Sequence, residues 1–244
     1  MRCLDGKTRT GNIQETICVD QLQNYYFGQL MKAGSYHETL EPEEFATAYT
    51  AKKLADISSA IENLIWDSTN AVCEGLIYTL NTTPVKPQLI NGTGTWSGVT
   101  MSVTNACDIV DSMINTLYTS APKLLGKKDL TLFVGLDEFY LITTCLRNKN
   151  YFHFEWGQAP TDTFVREFLY PGHPIKVVGT KGLNGSNKRV LTSASNIVIG
   201  VDSLVNPDSF RVYYSVDEDA IKFRSKFRIG VNAAFYNEII YSEK

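Results

Sequence analysis

The most constraining stretch of this 244-residue chain is IKFRSKFRI, residues 221–229. Ile221, Phe223, Ser225, Phe227 and Ile229 alternate with Lys222, Arg224, Lys226 and Arg228. A period of two with apolar and basic residues on opposite sides fits an extended strand and no helix. The preceding segment repeats the rule: Phe210, Val212, Tyr214 and Val216 alternate with Arg211, Tyr213 and Ser215, and Asp217, Glu218 and Asp219 form a polar turn. A hairpin is expected here. A last strand at about 237–241 is expected to complete an antiparallel sheet with it.

A different period governs the first half. Phe45, Tyr49, Leu54, Ile57, Ile61 and Leu64 recur at mostly three- and four-residue steps, which predicts a long helix over about 43–70. Pro42 suits its first turn, and Glu43 and Glu44 suit the positive end of its dipole. Residues 75–102, rich in Gly, Thr, Asn and Pro, are expected to form turns, short strands and loops. Val103, Cys107, Val110, Ile114 and Leu117 mark a second amphipathic helix, stopped near Pro122 and Gly126. The apolar run from Leu130 to Gly135 reads as a buried strand that feeds a helix, LDEFYLITTCLRNK. Strands are also expected at 151–156, 174–178 and, buried, at 196–201, and a helix at 162–169 (DTFVREFL). The fold class is α+β.

Composition limits the function. With 43% hydrophobic and 20% charged residues the chain can bury a substantial core, and a net charge of −3 argues against a globally basic nucleic-acid or membrane-surface binder. No segment approaches 18 apolar residues and none forms the apolar core of a signal peptide, so neither a membrane span nor secretion is expected. Cys3, Cys18, Cys73, Cys107 and Cys145 are odd in number and lack CxxC spacing, which predicts reduced thiols rather than a disulfide framework or zinc knuckle. The sequons at Asn81, Asn91 and Asn184 occur at about the frequency chance gives.

Catalytic signatures fail one by one. Gly92, Gly94 and Gly98 carry one residue too many for a dinucleotide loop, and Gly182 to Lys188 misses the phosphate-loop spacing and reads as a mobile surface loop. No GxSxG elbow is present. His37, His153 and His173 are too dispersed to define a metal site and read as structural. Asp137 and Glu138, about 100° apart on a helix, do not face each other as an acid/base pair and read as solvated or N-terminal helix residues. An α/β enzyme would need Asp137, His153 and His173 to converge. No catalytic, cofactor-binding or metal residue is assigned, and no cofactor is expected.

The one charged feature with geometry behind it is the basic stripe Lys222, Arg224, Lys226 and Arg228. It would extend about 20 Å along one face, enough for several phosphates or a row of carboxylates on a neighbouring chain. The competing reading is a solvated face or a charge-protected sheet edge. Residues 1–74 hold eleven acids and six bases, net −5, and the remainder is at +2, so charge complementarity between neighbouring copies is available.

The order of these elements carries a resemblance. The long helix FATAYTAKKLADISSAIENLIWDS, the helix NACDIVDSMINTL, the strand-helix unit LTLFVGLDEFYLITTCL, the strand NIVIGVD and the closing FRVYYSVDEDAIKFRSKFRIGVNAAFYNEIIY resemble the major capsid proteins of tailed bacteriophages. Encapsulins share that fold. The resemblance spans about 43–244 and implies a spine helix, a peripheral domain and an axial domain. Its layout would be 1–42 as the remnant of an N-terminal arm and extended loop, 43–120 as spine helix and part of the peripheral domain, 121–200 as mainly axial, and 201–244 as peripheral strands. Only about forty residues precede the helix, so arm and extended loop are either short or partly outside this chain.

The implied function is non-enzymatic: a shell subunit forming pentamers and hexamers of an icosahedral head around double-stranded DNA. The implied partners are further copies, portal or auxiliary capsid proteins and loosely held DNA, with no membrane. The location would be the virion, after assembly in the host cytoplasm. The alternative within the fold is an encapsulin-like compartment for protein cargo.

Overall fold

The computed structural model describes residues 9–18, 55–66, 74–82, 88–89, 99–149, 166–202, 210–215 and 220–243. The chain divides into two compact units. One comprises Met1–Gly6, Glu62–Ile199 and Val231–Lys244, the other Lys7–Ile61 and Gly200–Gly230.

The larger unit is built on a six-stranded mixed sheet. Its strands are β2 (Gln88–Leu89), β3 (Leu130–Gly135), β4 (Glu167–Leu169), β5 (Lys176–Thr180), β6 (Lys188–Ser193) and β10 (Ile239–Glu243), in the order β2-β10-β6-β3-β5-β4. β3 runs parallel to β5 and antiparallel to β6. Between β3 and β5 the chain forms helix α4 (Leu136–Asn148), which starts directly after Gly135, as a strand feeding a helix predicts. Successive residues of each central strand face opposite layers. Leu132, Val134, Leu191 and Ile240 pack with α4 and with α3 (Ala106–Ser120), whereas Val190, Ile239 and Tyr241 pack with Trp66 and with Leu76, Ile77 and Leu80 of α2 (Leu76–Thr82). Phe133 meets Trp66 on that second face, ring centroids 5.0 Å apart. The near-continuous apolar run of β3 is thus the signature of a strand covered on both sides.

Helix α3 follows its amphipathic pattern. Cys107, Val110, Met113, Ile114 and Leu117 are buried, each large apolar side chain contributing about 1.5–3 kcal/mol, and Pro122 opens the turn that ends it. Of the long helix expected over 43–70, residues 55–66 are described and are helical (α1). The remainder lies outside the described residues.

Four expectations are corrected. LIYTLNT forms α2 where loops and strands were expected, because Leu76, Ile77 and Leu80 bury at a helical spacing. Glu167–Leu169 is a strand, not helix: it pairs with β5 and turns Phe168 inward onto Phe139, ring centroids 5.3 Å apart. β7 (Ile197–Asp202) is a strand as expected but is not buried, since Val198 and Ile199 are exposed. The final strand, β10, joins the six-stranded sheet beside β6 and β2 rather than the hairpin. Residues 151–156 and 162–165 lie outside the described residues.

In the second sheet, β9 (Ala220–Ala233) pairs antiparallel with β1 (Arg9–Cys18) along one side and with β8 (Phe210–Ser215) along the other, and β7 also joins it. The expected hairpin is β8–β9.

Candidate assembly surface

The basic stripe lies on β9, and the pairing decides one of its readings. Arg224 is hydrogen-bond-registered with Gln14 of β1 and with Arg211 of β8, so β9 is an internal strand over this stretch. Protection of an open edge is therefore not its role. Directly opposite positions of an antiparallel sheet share a face. On the stripe's face β1 contributes Thr16, Gln14, Asn12 and Thr10, opposite Lys222, Arg224, Lys226 and Arg228 respectively. β8 contributes Tyr213 opposite Lys222 and Arg211 opposite Arg224. The alternate positions hold Ile13, Ile17, Ile221, Phe223, Phe227, Ile229, Phe210, Val212 and Tyr214, together with Arg9, Gly11, Glu15 and Ser225. By register the positions thus alternate between a mostly apolar set that includes Arg9 and Glu15, and a set rich in basic residues with no acid at these paired positions.

The residues considered for catalysis have other occupations. Asp137 stands in the first turn of α4. Its carboxylate accepts the Gly185 N–H at 3.0 Å, and its own N–H donates to Asn184 Oδ1 at 3.1 Å. His173 sits between Tyr118 and Tyr170, with Nδ1 3.3 Å from the Tyr118 hydroxyl and its ring stacked on Tyr170 at 6.2 Å. Tyr170 in turn donates to Asp111 at 2.7 Å. His37 and His153 lie outside the described residues, as do Gly92 and Gly94. Among the described residues no group of three His, Cys, Asp or Glu side chains is placed to hold a metal, and no helix is long and apolar enough to cross a membrane.

Three features escaped sequence reasoning. Glu138 stands in the first turn of α4, as one of its two readings has it, but it is not solvated: it and Arg189 are both buried, joined by Arg189 Nε to Oε2 at 3.0 Å and by a second contact from Nη2 to Oε1, with Ser242 beside them. Burial pushes the Glu138 carboxyl above its ordinary range, against the pull of Arg189. Cys107 and Cys145 form a disulfide between α3 and α4, with Cα atoms 6.1 Å apart, contrary to the expectation of reduced thiols. The stretch from Lys181 to Lys188 is an anchored joint rather than a mobile loop. The Lys181 N–H donates to Glu62 Oε1 at 2.7 Å, the Ser186 hydroxyl donates to the Leu183 carbonyl at 2.7 Å, and Gly182 lies so close to α1 that a Cβ would stand 2.5 Å from the Glu62 carbonyl. A phosphate cradle would keep its amides open for a ligand; here Lys181 and Gly185 spend theirs on Glu62 and Asp137.

Neither a family model nor a curated protein matches the sequence. Solved structures match nearly its full length. The satellite phage P4 procapsid including size determination protein aligns at TM-score 0.57 and 13% identity, covering 100% of this chain and 77% of that one. The chain has the tailed-phage capsid fold. The cyanophage A-1(L) capsid aligns at TM-score 0.55 and 12% identity over 96% of this chain and 77% of that one. The holo-SrpI encapsulin complex from Synechococcus elongatus aligns at 0.52 and 9% over 97% and 73%. The capsid fold thus joins phage shells and encapsulins, as the order of elements implies, at an identity where side-chain chemistry is not carried over.

Proposed function

We propose that this chain is a structural shell subunit that assembles into pentamers and hexamers of an icosahedral phage head enclosing double-stranded DNA. The observation carrying this reading is the capsid fold itself, matched over almost the whole chain by procapsid and capsid subunits. The fold's surface is consistent with it: Tyr118, Tyr140, Leu169, Ile199 and Phe235 remain exposed. A heterologous contact repeated around a ring closes into such capsomers.

In this reading 43–120 supplies the spine helix and part of the peripheral domain, 121–200 most of the axial domain and 201–244 the peripheral strands, after an arm within 1–42. Portal or auxiliary capsid proteins are further partners, the stripe Lys222, Arg224, Lys226 and Arg228 meets a neighbouring subunit or DNA, and no catalytic step is assigned. The product resides in the virion after assembly in the host cytoplasm.

A cellular compartment loaded with protein cargo is the second reading, favoured by the encapsulin match. Negative-stain electron microscopy of the purified protein tests both. Closed shells, tubes or rings of six are expected, and a strict monomer under all assembly conditions would overturn the proposal. Nuclease-protected DNA inside shells recovered from their natural source supports the phage head; protein cargo without DNA supports the compartment.

A further inference from the structure

Asn184 and Gly185 stand in the joint between β5 and β6, and both are exposed. An asparagine followed by glycine is the pair in which the main-chain nitrogen attacks the side-chain amide most readily, because glycine has no Cβ to hinder the approach. Around Gly185 the space is open: a Cβ placed there would meet nothing within 4 Å. The reaction joins Gly185 N to Asn184 Cγ through the nitrogen electron pair and breaks the bond from Cγ to Nδ2. Ammonia leaves with the proton that Gly185 N gives up. Water then opens the five-membered imide at either carbonyl, to aspartate or isoaspartate.

The fold restrains both reacting groups. The Gly185 N–H, whose nitrogen is the nucleophile, donates to Asp137 Oδ2 at 3.0 Å. Asn184 Oδ1, carried by the carbon under attack, accepts the Asp137 N–H at 3.1 Å. Asp137 stands in the first turn of α4, where the positive end of the helix favours a carboxylate. The main chain is held away from ring closure as well, since Asn184 has φ −61° and ψ 128°. Closing the ring brings the nitrogen into line with Cβ, which on a tetrahedral Cα means ψ near about −120°, a turn of about 110° into a region that sterics disfavour for non-glycine residues. That turn takes the Gly185 N–H off Asp137. Gly135, just before α4, packs so near that a Cβ on it would stand 3.1 Å from Asn184 Cα and 2.7 Å from the Leu183 carbonyl, which leaves Asn184 little room to turn.

We infer that Asn184–Gly185 is a latent deamidation site held closed by Asp137, an inference that does not depend on the shell-subunit reading. Asp137 acts here as a guard and positioning residue, because its carboxylate occupies the N–H that would otherwise swing toward Cγ. Once the site reacts, a carboxylate replaces the amide beside Asp137. The isoaspartyl form also adds one methylene to the main chain of the joint that packs against Glu62 and Trp66.

The test follows the conversion of Asn184 in purified protein at mildly alkaline pH, read as isoaspartate and as the mass change of its peptide. Asn184→Gln, which can close only a larger ring, marks the background. The folded parent is expected to react at least about tenfold more slowly than the same chain in denaturant. Asp137→Ala is expected to react about tenfold faster than the folded parent, the factor that one charge-assisted hydrogen bond is worth. Asp137→Asn keeps an acceptor for the Gly185 N–H and is expected to lie nearer the parent. Asp129→Asn perturbs the other end of β3, about 17 Å along the strand from Gly135, and is expected to leave the rate unchanged. Circular dichroism checks folding in each. A folded parent that reacts as fast as the denatured chain overturns the inference, as does a folded Asp137→Ala that keeps the parent's rate. A slower Asp137→Ala overturns it too, since the carboxylate would then be the base that drives the attack. Equal acceleration by Asp129→Asn would also overturn it, by assigning the reaction to general opening of the fold rather than to release of this contact.

Discussion

Replacing Arg189 by methionine strands a carboxylate in the core. Arg189 and Glu138 have side chains only 2% and 3% exposed, and their contacts tie the first turn of α4 to β6, with Ser242 of β10 alongside. With the guanidinium gone, Glu138 keeps its desolvation cost and loses its charge partner. Breaking a buried pair from one side costs about 3–5 kcal/mol, and at about 2–4 °C per kcal/mol for a chain of this size the melting temperature should fall by about 6–20 °C. Replacing both partners, Arg189→Met with Glu138→Leu, removes both charges and should recover most of the loss, since apolar substitutes for buried pairs are often neutral.

The pH dependence has a definite sign. A carboxyl whose folded-state pKa is raised is destabilising above that pKa, and the cost vanishes as it takes up a proton, so the gap between Arg189→Met and the parent should narrow as the pH falls from neutrality toward the ordinary carboxyl range. Differential scanning calorimetry of the parent, the single and the double variant measures all three quantities. A single variant that melts within about 2 °C of the parent, or a double variant no more stable than the single, would refute the reasoning.

Three further outcomes follow from the geometry. Closing a loop across the 38-residue separation of Cys107 and Cys145 stabilises by about 4 kcal/mol in the chain-entropy model, so Cys107→Ser, or reductant, should lower the melting temperature; five titratable thiols in the denatured, unreduced protein would contradict the disulfide. The Ser193 hydroxyl at 2.6 Å and the Ser195 N–H at 2.9 Å hold Asp129 at about 2, below its ordinary 3.8. A lowered carboxyl stabilises above its unfolded value and loses this as pH falls through the folded one, so the stability difference between parent and Asp129→Asn should shrink between about pH 4 and pH 2; a constant difference across that range would refute it. Gly182→Ala should cost about 1–3 kcal/mol in thermal melting by driving a methyl against the Glu62 carbonyl and Trp66, and an unchanged melting curve would mean the joint does not pack this closely.

Much of the architecture was legible because short-range periodicity states which side of an element faces the core. The Leu130–Gly135 strand, the helix after it, α3 and the β8–β9 hairpin all follow from residues within one or two turns of each other. The errors fall where a long-range partner overrode local pattern. DTFVREFL has helical texture, yet Phe168 is claimed by Phe139 and its backbone by β5. Ile239–Glu243 carries no mark of which sheet it will enter, and pairing with β6, some fifty residues away, decides it. The basic stripe was visible, but not its setting: that β9 is internal, and that Arg211 meets Arg224, depends on register.

By itself, then, the sequence determined the periods, and with them the elements and their apolar faces, because side-chain direction repeats at 2 or 3.6 residues whatever the rest of the chain does. Only the tertiary structure decided that Glu138 pairs with Arg189 from 51 residues away, that Cys107 reaches Cys145, and that Arg211 is registered opposite Arg224. Those juxtapositions arise when distant segments are brought to contact distance, and charge and thiol chemistry act over a few ångströms of space rather than along the chain.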